Sequence, residues 1–287
     1  MTTPTDPARY AGADLRLAAV DMDGTLLDDD KNFPPGMEEL LDLMDERGVT
    51  FAPASGRQVW TLIDMFPGRP GMTVIGENGG IVMRDGVEVS SHPVDIPTVR
   101  EVIRLVRDAT SGPDGIDGGL VMCGKQFAYV ERTDDRFVEG VMPYYHRTKR
   151  VEDQSAIIDA IEAGEIDDAI VKLAVYVIGP VEPLAQATLA NFADTHQYAI
   201  SGANWADLQI RGVDKGSAVR DLQRFLGVER AQTAVFGDAG NDLSMMSEGD
   251  LSFAMANASA DVVEASRFIA PSNNEAGVAQ VLRALLG

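Results

Sequence analysis

Short apolar segments that end abruptly in polar clusters restrict the fold of this chain more than any other feature. LRLAAV (15–20) stops at DMDGT, VTFAPA (49–54) stops at SGR, and TAVFG (233–237) stops at DAGND. Apolar runs of this length are typical of parallel strands that are buried on both faces of a sheet. Because ligands bind beside the carboxyl ends of such strands, we expect the three polar clusters to converge.

Helical spacing of apolar residues completes an α/β pattern. It predicts one helix from Pro34 to Gly48, one from Lys215 to Leu226, and a final one from Glu275 to Leu286. Another short strand, MTVI (72–75), stops at GENGG. Strands that alternate with helices in this way predict a doubly wound parallel sheet.

The pattern changes after the fourth polar cluster. IVMRDGVEVSS places an Asp-Gly turn signal between two alternating segments, which predicts an antiparallel hairpin. Helical spacing from Pro97 and the strand pair LVMCG and FAYVER follow. We assign residues 1–91 and 207–287 to the α/β core, and residues 92–206 to an inserted α+β domain.

Composition excludes two classes of partner. The formal net charge of −21 disfavours nucleic acids and anionic membranes, since both require a basic surface. No apolar stretch approaches the roughly 20 residues that span a bilayer, and the N-terminal segment lacks the order of a signal peptide. With a single cysteine as well, we expect a soluble cytoplasmic protein.

Acidic residues are concentrated in DMDG and GDAGND, where mutual repulsion costs stability. An isolated aspartate after a strand is often only a helix cap or turn residue. Two such clusters favour a bound cation instead, and Mg²⁺ suits hard oxygen ligands that leave room for water and phosphate. The cation would also reverse the local negative field for an anionic substrate.

Four motifs carry a resemblance to a known family. DMDGTLLDDD, SGR, VDKGSAV and GDAGND, in that order, resemble the motifs of the haloacid dehalogenase (HAD) superfamily of phosphatases. The insertion between SGR and VDKG, with ENGG (77–80) and MANA (255–258), resembles the Cof-type sugar phosphatases with a large α/β cap. The resemblance implies a Rossmann-like core and a cap that sets substrate specificity. It also implies Mg²⁺-dependent hydrolysis of phosphate monoesters of small metabolites, sugar phosphates foremost, by a monomer or weak homo-oligomer.

Matched position by position, the resemblance assigns the chemistry to four aspartates. Asp21 would be the nucleophile that forms an aspartyl phosphate, and Asp23 would protonate the leaving oxygen and then activate water. Mg²⁺ would be bound by Asp21, the backbone carbonyl of Asp23 and Asp238. Asp242 would bind the ion or orient a water on it.

Phosphate binding would fall to five residues. Ser55 would donate a hydrogen bond, Lys215 would neutralise a phosphoryl oxygen, and the backbone N–H groups around Gly24 and Gly56 would donate further bonds. Lys215 is equally compatible with a solvated first-turn lysine. Arg57 would touch the phosphate or brace its loop.

Two asparagines are supporting candidates. Asn78 would shape the ENGG turn or face the substrate, since asparagine tolerates positive φ. Asn241 would orient the loop that carries the acids.

Two other functions remain open at this level. A phosphomutase or phosphotransferase would use the same site with a sugar as acceptor. A receiver module also gathers acids at strand ends, but it has no use for the acid/base Asp23 or for the large insertion.

Overall fold

The chain forms two compact units in the computed structural model, which describes residues 3–69 and 71–287. The core unit contains the described residues up to 56, those of 66–90, and 214–287. The insertion unit contains 57–65 and 91–213. This division differs from the predicted boundaries, because residues 57–65, 91 and 207–213 group with the insertion. The function of the insertion as a cap stays a prediction.

The described residues form fourteen strands and ten α-helices. The strands are β1 (Leu17–Asp21), β2 (Thr50–Ala54), β3 (Val74–Gly76), β4 (Ile81–Arg84), β5 (Val87–Ser91), β6 (Gly118–Gly124), β7 (Ala128–Val130), β8 (Thr148–Arg150), β9 (Ile170–Val177), β10 (His196–Gly202), β11 (Trp205–Ile210), β12 (Thr233–Gly237), β13 (Leu251–Met255) and β14 (Phe268–Ala270). The helices are α1 (Met37–Glu46), α2 (Val59–Asp64), α3 (Ile96–Thr110), α4 (Asp135–Val141), α5 (Gln154–Glu162), α6 (Glu182–Ala187), α7 (Lys215–Leu226), α8 (Leu243–Met246), α9 (Ala260–Ala265) and α10 (Gly277–Leu286).

The core unit is built on an eight-stranded sheet in the order β14-β13-β12-β1-β2-β3-β4-β5. The six strands from β14 to β3 run parallel, and β4 is antiparallel to β3. From β1 the strands follow in chain order to β5 on one side, and from β12 they follow in chain order to β14 on the other side. The strand order therefore reverses between β1 and β12. Such a switch point opens a crevice at the carboxyl ends of the strands.

Local sequence explains most of these elements. Asp85 and Gly86 both have positive φ between β4 and β5, as a two-residue hairpin turn requires. Helix α1 begins at Met37 rather than at the predicted Pro34, because Gly36 adopts the left-handed conformation directly before it. Buried apolar side chains from β1, β2 and β12 pack against helices α7, α8 and α9. Their removal from water is the main force that stabilises this unit.

The insertion unit contains a six-stranded sheet in the order β10-β11-β9-β6-β7-β8. Its pairs are antiparallel except for β7 with β8. Strand β11 pairs with β9 over four residues, so the predicted boundary at residue 207 falls inside a strand. Helices α3, α5 and α6 cover one face of the sheet. The predicted fold class, an α/β core with a parallel sheet and an inserted α+β domain, is confirmed. Within the described ranges, no helix is both long enough and apolar enough to cross a membrane.

Candidate active site

The polar clusters predicted to converge follow three neighbouring strands of the core sheet. Asp21 ends β1, Ser55 follows β2, and Asp238 follows β12. Asp21 pairs with Ala54 across β1 and β2, and the residue before it, Val20, pairs with Phe236 of β12. The register therefore brings the three strand ends to the same edge, next to the switch point.

A buried ion cluster occupies this edge. The Nζ atom of Lys215 lies 2.5 Å from Oδ1 of Asp21 and 2.7 Å from Oδ1 of Asp242. The Lys215 side chain is fully buried, which rules out the solvated alternative for this residue. Its position is fixed because it is the first residue of α7, whose N-cap Asp214 forms a capping box with Ser217.

A close backbone contact seats the start of α7 in the site. A Cβ atom on Gly79 would lie 2.2 Å from the carbonyl oxygen of Asp214, and Gly79 has φ +96°. Only glycine allows this approach and this conformation together. The ENGG turn thereby sets how closely Lys215 can approach the strand ends.

Three carboxylates could hold a cation here. Asp21, Asp238 and Asp242 each offer an oxygen, and these oxygens lie within 4.8 Å of one another. Thr25 donates from Oγ1 to Oδ1 of Asp238 at 3.0 Å. The donor set consists of hard oxygens, which fits Mg²⁺.

Asp242 is held by its own loop. Its Oδ2 accepts hydrogen bonds from the backbone N–H groups of Asp238 at 3.0 Å and Ala239 at 3.2 Å. Its Oδ1 accepts from Lys215. These bonds let Asp242 orient the loop of Asp238, and its carboxylate also belongs to the cluster that could hold a cation.

Burial dominates the protonation behaviour of the cluster. It is the largest cause that raises the pKa of Asp21, the Asp242 carboxylate also raises it, and Lys215 opposes both, which leaves the pKa at about 7. Burial and then Asp242 also raise the pKa of Asp238. For Lys215, burial lowers the pKa, but Asp21 and Asp242 outweigh it and hold the pKa above its usual value. One ammonium is therefore too little positive charge for three carboxylates, and a divalent cation would supply the remainder.

The DMDGT loop lies directly against Asp238. A Cβ atom on Gly24, which has φ +84°, would lie 2.5 Å from Oδ2 of Asp238. Asp23 is partly exposed, and its Oδ1 lies 2.9 Å from Nζ of Lys31. Lys31 is not among the site residues predicted from the sequence, because nothing in the DDDK segment indicates which side chain Lys31 contacts.

The loop after β2 contacts the ENGG turn. Asn78 has φ +51° and donates its N–H to the carbonyl of Ser55 at 2.9 Å. A Cβ atom on Gly56 would lie 3.1 Å from Nδ2 of Asn78, and Asn241 donates to Oδ1 of Asn78 at 3.4 Å. Ser55 is buried at this place. Asn78 therefore shapes the turn and joins the loops of β2 and β12, while its contact with substrate stays a prediction.

Arg57 differs from the other predicted phosphate ligands because it belongs to the insertion unit. Its guanidinium lies over the ring of Tyr144, 5.2 Å from the centroid, and donates to the carbonyl of Pro143 at 3.4 Å. Both alternatives for Arg57, binding of phosphate and bracing of its loop, stay predictions.

Comparisons with known proteins identify the family. The family model for haloacid dehalogenase-like hydrolases matches residues 18–282, and the chain belongs to this family. The 5-amino-6-(5-phospho-D-ribitylamino)uracil phosphatase YbjI of Escherichia coli K12 is 31% identical over 280 residues. That alignment covers 95% of this chain and 96% of the relative.

Solved structures share the fold. A haloacid dehalogenase-like hydrolase from Bacteroides thetaiotaomicron superposes with a TM-score of 0.78 at 20% identity, over 94% of this chain and 98% of that one. The HAD subclass IIB sugar phosphatase BT4131 superposes with a TM-score of 0.72 at 18% identity, over 93% and 98% of the two chains. The predicted family, a HAD phosphatase of the Cof type, is confirmed, and the relatives support the predicted enzyme class of phosphoric monoester hydrolases.

Proposed function

We propose that this chain is a Mg²⁺-dependent phosphatase that hydrolyses phosphate monoesters of small metabolites through an aspartyl phosphate on Asp21. One observation carries the proposal. A fully buried ammonium, Lys215, lies 2.5 Å from the carboxylate that ends β1, beside a cluster of three carboxylates of which it contacts two. A carboxylate held beside fixed positive charge is suited to attack an anionic phosphate.

The residues of the site can carry both halves of the reaction. In the first half, an oxygen of Asp21 bonds to phosphorus as the ester oxygen leaves, and Asp23 gives that oxygen a proton. In the second half, water attacks phosphorus, Asp23 takes its proton, and the bond from Asp21 to phosphorus breaks. Inorganic phosphate is released and both aspartates are restored. Ser55, Lys215 and the N–H groups of the glycine loops would bind the phosphoryl oxygens.

Mg²⁺, when bound, would supply positive charge that offsets the repulsion between the nucleophile and the phosphate. Asp21 and Asp238 would hold it, together with the carbonyl of Asp23. Asp242 orients the loop of Asp238 through its two backbone hydrogen bonds. Lys215 adds one fixed charge that needs no reorganisation during the reaction.

Phosphorylated sugars and sugar alcohols are the proposed substrate class. The E. coli relative is named for a phosphorylated ribitylamino compound, and the structural neighbour BT4131 is named a sugar phosphatase. Both names support an open-chain or cyclic polyol as the group that leaves from phosphate.

Phosphate release tests the proposal. Wild-type protein with Mg²⁺ should release phosphate from p-nitrophenyl phosphate and from members of a panel of sugar and sugar-alcohol phosphates, with no second acceptor added. EDTA should abolish the release, and added Mg²⁺ should restore it.

Asp21→Asn tests the nucleophile and should lower kcat by about 10³-fold or more. Asp14→Asn is the matched control, since Asp14 is exposed and contacts Arg16 and Gln232 outside the site. Full activity in Asp21→Asn would contradict the assignment of the nucleophile. Absence of phosphate release from every ester would contradict the function itself.

A further inference from the structure

The MANA segment, which begins at the last residue of β13, has no role in the proposed reaction. Strand β13 lies next to β12, with Ala254 opposite Gly237, so the segment emerges beside Asp238. The N–H of Ser259 donates to the carbonyl of Asp238 at 2.9 Å. The residue directly after MANA is thus attached to the loop that carries the acids of the candidate metal site.

Asn257 extends from the same segment to the other acidic loop. Its Nδ2 donates to the carbonyl oxygen of Gly24 at 2.8 Å. Strand β12 separates β13 from β1 in the sheet, so this side chain reaches past the end of β12. Asn257 and Ser259 together therefore join the loops that follow β1 and β12.

A second amide fixes the orientation of Asn257. The N–H of Asn273, which follows β14, donates to Oδ1 of Asn257 at 3.1 Å, so Nδ2 must face Gly24. Asn273 is buried and also donates from Nδ2 to the carbonyl of Leu27 and to Oδ1 of Asp29, each at 3.1 Å. The DMDGT loop and the residues after it are thereby held at two points.

We infer that Asn257 is a positioning residue for phosphoryl transfer, and this inference rests on the proposed function. The peptide that joins Gly24 to Thr25 is planar and trans, so holding its carbonyl also fixes the direction of the Thr25 N–H. The backbone of this loop is assigned to the phosphate, and Asp23 lies one residue before the held carbonyl. Misplacement of such groups by about 1 Å can cost about 100-fold in rate.

Asn257→Asp isolates this hydrogen bond. Aspartate has the same shape, keeps an acceptor for the N–H of Asn273, and loses the donor to Gly24. Asn257→Ala removes the donor without adding charge. Asn274→Asp is the matched control, since Asn274 is a nearby exposed amide that contacts Asp29 and adds the same charge when replaced.

Steady-state kinetics with p-nitrophenyl phosphate should show kcat lowered about 10- to 100-fold in both Asn257 variants. The Mg²⁺ concentration for half-maximal activity should change less than kcat does, because two of the three proposed ligands, Asp21 and Asp238, lie outside the peptide that Asn257 holds. Asn274→Asp should stay within twofold of wild type. If Asn257 had a purely structural role, its variants would have a lower melting temperature, and kcat would not fall by a larger factor than the Mg²⁺ concentration for half-maximal activity changes.

Amide hydrogen exchange of residues 22–27 gives a readout that needs no turnover. Exchange should accelerate in Asn257→Asp and not in Asn274→Asp. Unchanged exchange in Asn257→Asp, or a kcat within twofold of wild type in either Asn257 variant, would overturn the inference. An inactive wild-type protein would instead contradict the proposed function, and the exchange rates would still decide whether Asn257 holds the loop.

Discussion

Replacement of Lys215 by methionine perturbs the charge balance of the site with little change in volume. The ammonium is fully buried and contacts Asp21 and Asp242 at 2.5 and 2.7 Å. Removing one partner of a buried ion pair costs about 3–5 kcal/mol, because the other charge stays buried without compensation. We expect a loss of this size in the metal-free protein. This loss of stability has an upper limit. The pKa of Asp21 is raised to about 7, chiefly by burial, so a proton can bind Asp21 and replace the lost positive charge.

Mg²⁺ should restore part of this stability. Loss of the neighbouring positive charge should increase the affinity of the carboxylates for the cation, and each tenfold gain adds about 1.4 kcal/mol at saturation. Urea denaturation of wild type and Lys215→Met, in EDTA and in saturating Mg²⁺, measures both terms. The double variant Lys215→Met/Asp242→Asn should recover part of the loss, since it removes one of the unpaired charges.

Lys31→Met is the control for this experiment. Lys31 pairs with Asp23 at 2.9 Å, but more than half of its side chain is exposed. Exposed ion pairs contribute about 0–1 kcal/mol, so this variant should keep nearly full stability. A loss below about 1 kcal/mol for Lys215→Met in EDTA would refute the electrostatic reasoning, because Lys215 would then behave as a surface residue does.

Two further predictions concern the loop and the pH. Gly24→Ala should lose about 1–3 kcal/mol of stability and most activity, since the new Cβ would lie 2.5 Å from Oδ2 of Asp238. Gly12→Ala is the control, because Gly12 has a similar φ of +81° but no neighbour within 4 Å. Denaturation and kinetic assays of both variants separate backbone strain from the contact with Asp238. In EDTA, the pKa of Asp21 is about 7 in the folded state and about 4 in the unfolded state. Between pH 4 and pH 7 the folded state therefore binds more protons, so stability should fall as the pH rises through about this range. The difference between wild type and Asp21→Asn in denaturation at pH 5 and pH 8 measures this contribution, and equal pH dependence would contradict it.

The sequence located the strand ends and the main helix of the site accurately. TAVFG is β12, and the helix predicted from Lys215 to Leu226 is α7. These elements are bounded by strong local signals, such as the capping box of Asp214 and the left-handed Gly227 at the end of α7. Local chemistry of this kind can be identified without the tertiary structure.

Features that depend on distant contacts were missed or misplaced. Arg57 is the last residue of the SGR motif, yet its ring contact is with Tyr144, 87 positions later in the chain. The contact of Asn257 with Gly24 joins residues 233 positions apart. Spacing along the chain does not encode such pairings.

The placement of Lys215 shows why the site residues depend on one another. As the first residue of α7 it lies at the positive end of the helix dipole, where a cation is disfavoured, and it is also fully buried. Both costs are offset by Asp21 and Asp242, which would themselves be unstable as buried carboxylates without the ammonium. Asp238 adds a third carboxylate to the same space, with an oxygen within 4.8 Å of the others. Folding therefore leaves the cluster with excess negative charge, and a divalent cation would offset that excess where a monovalent one would leave part of it.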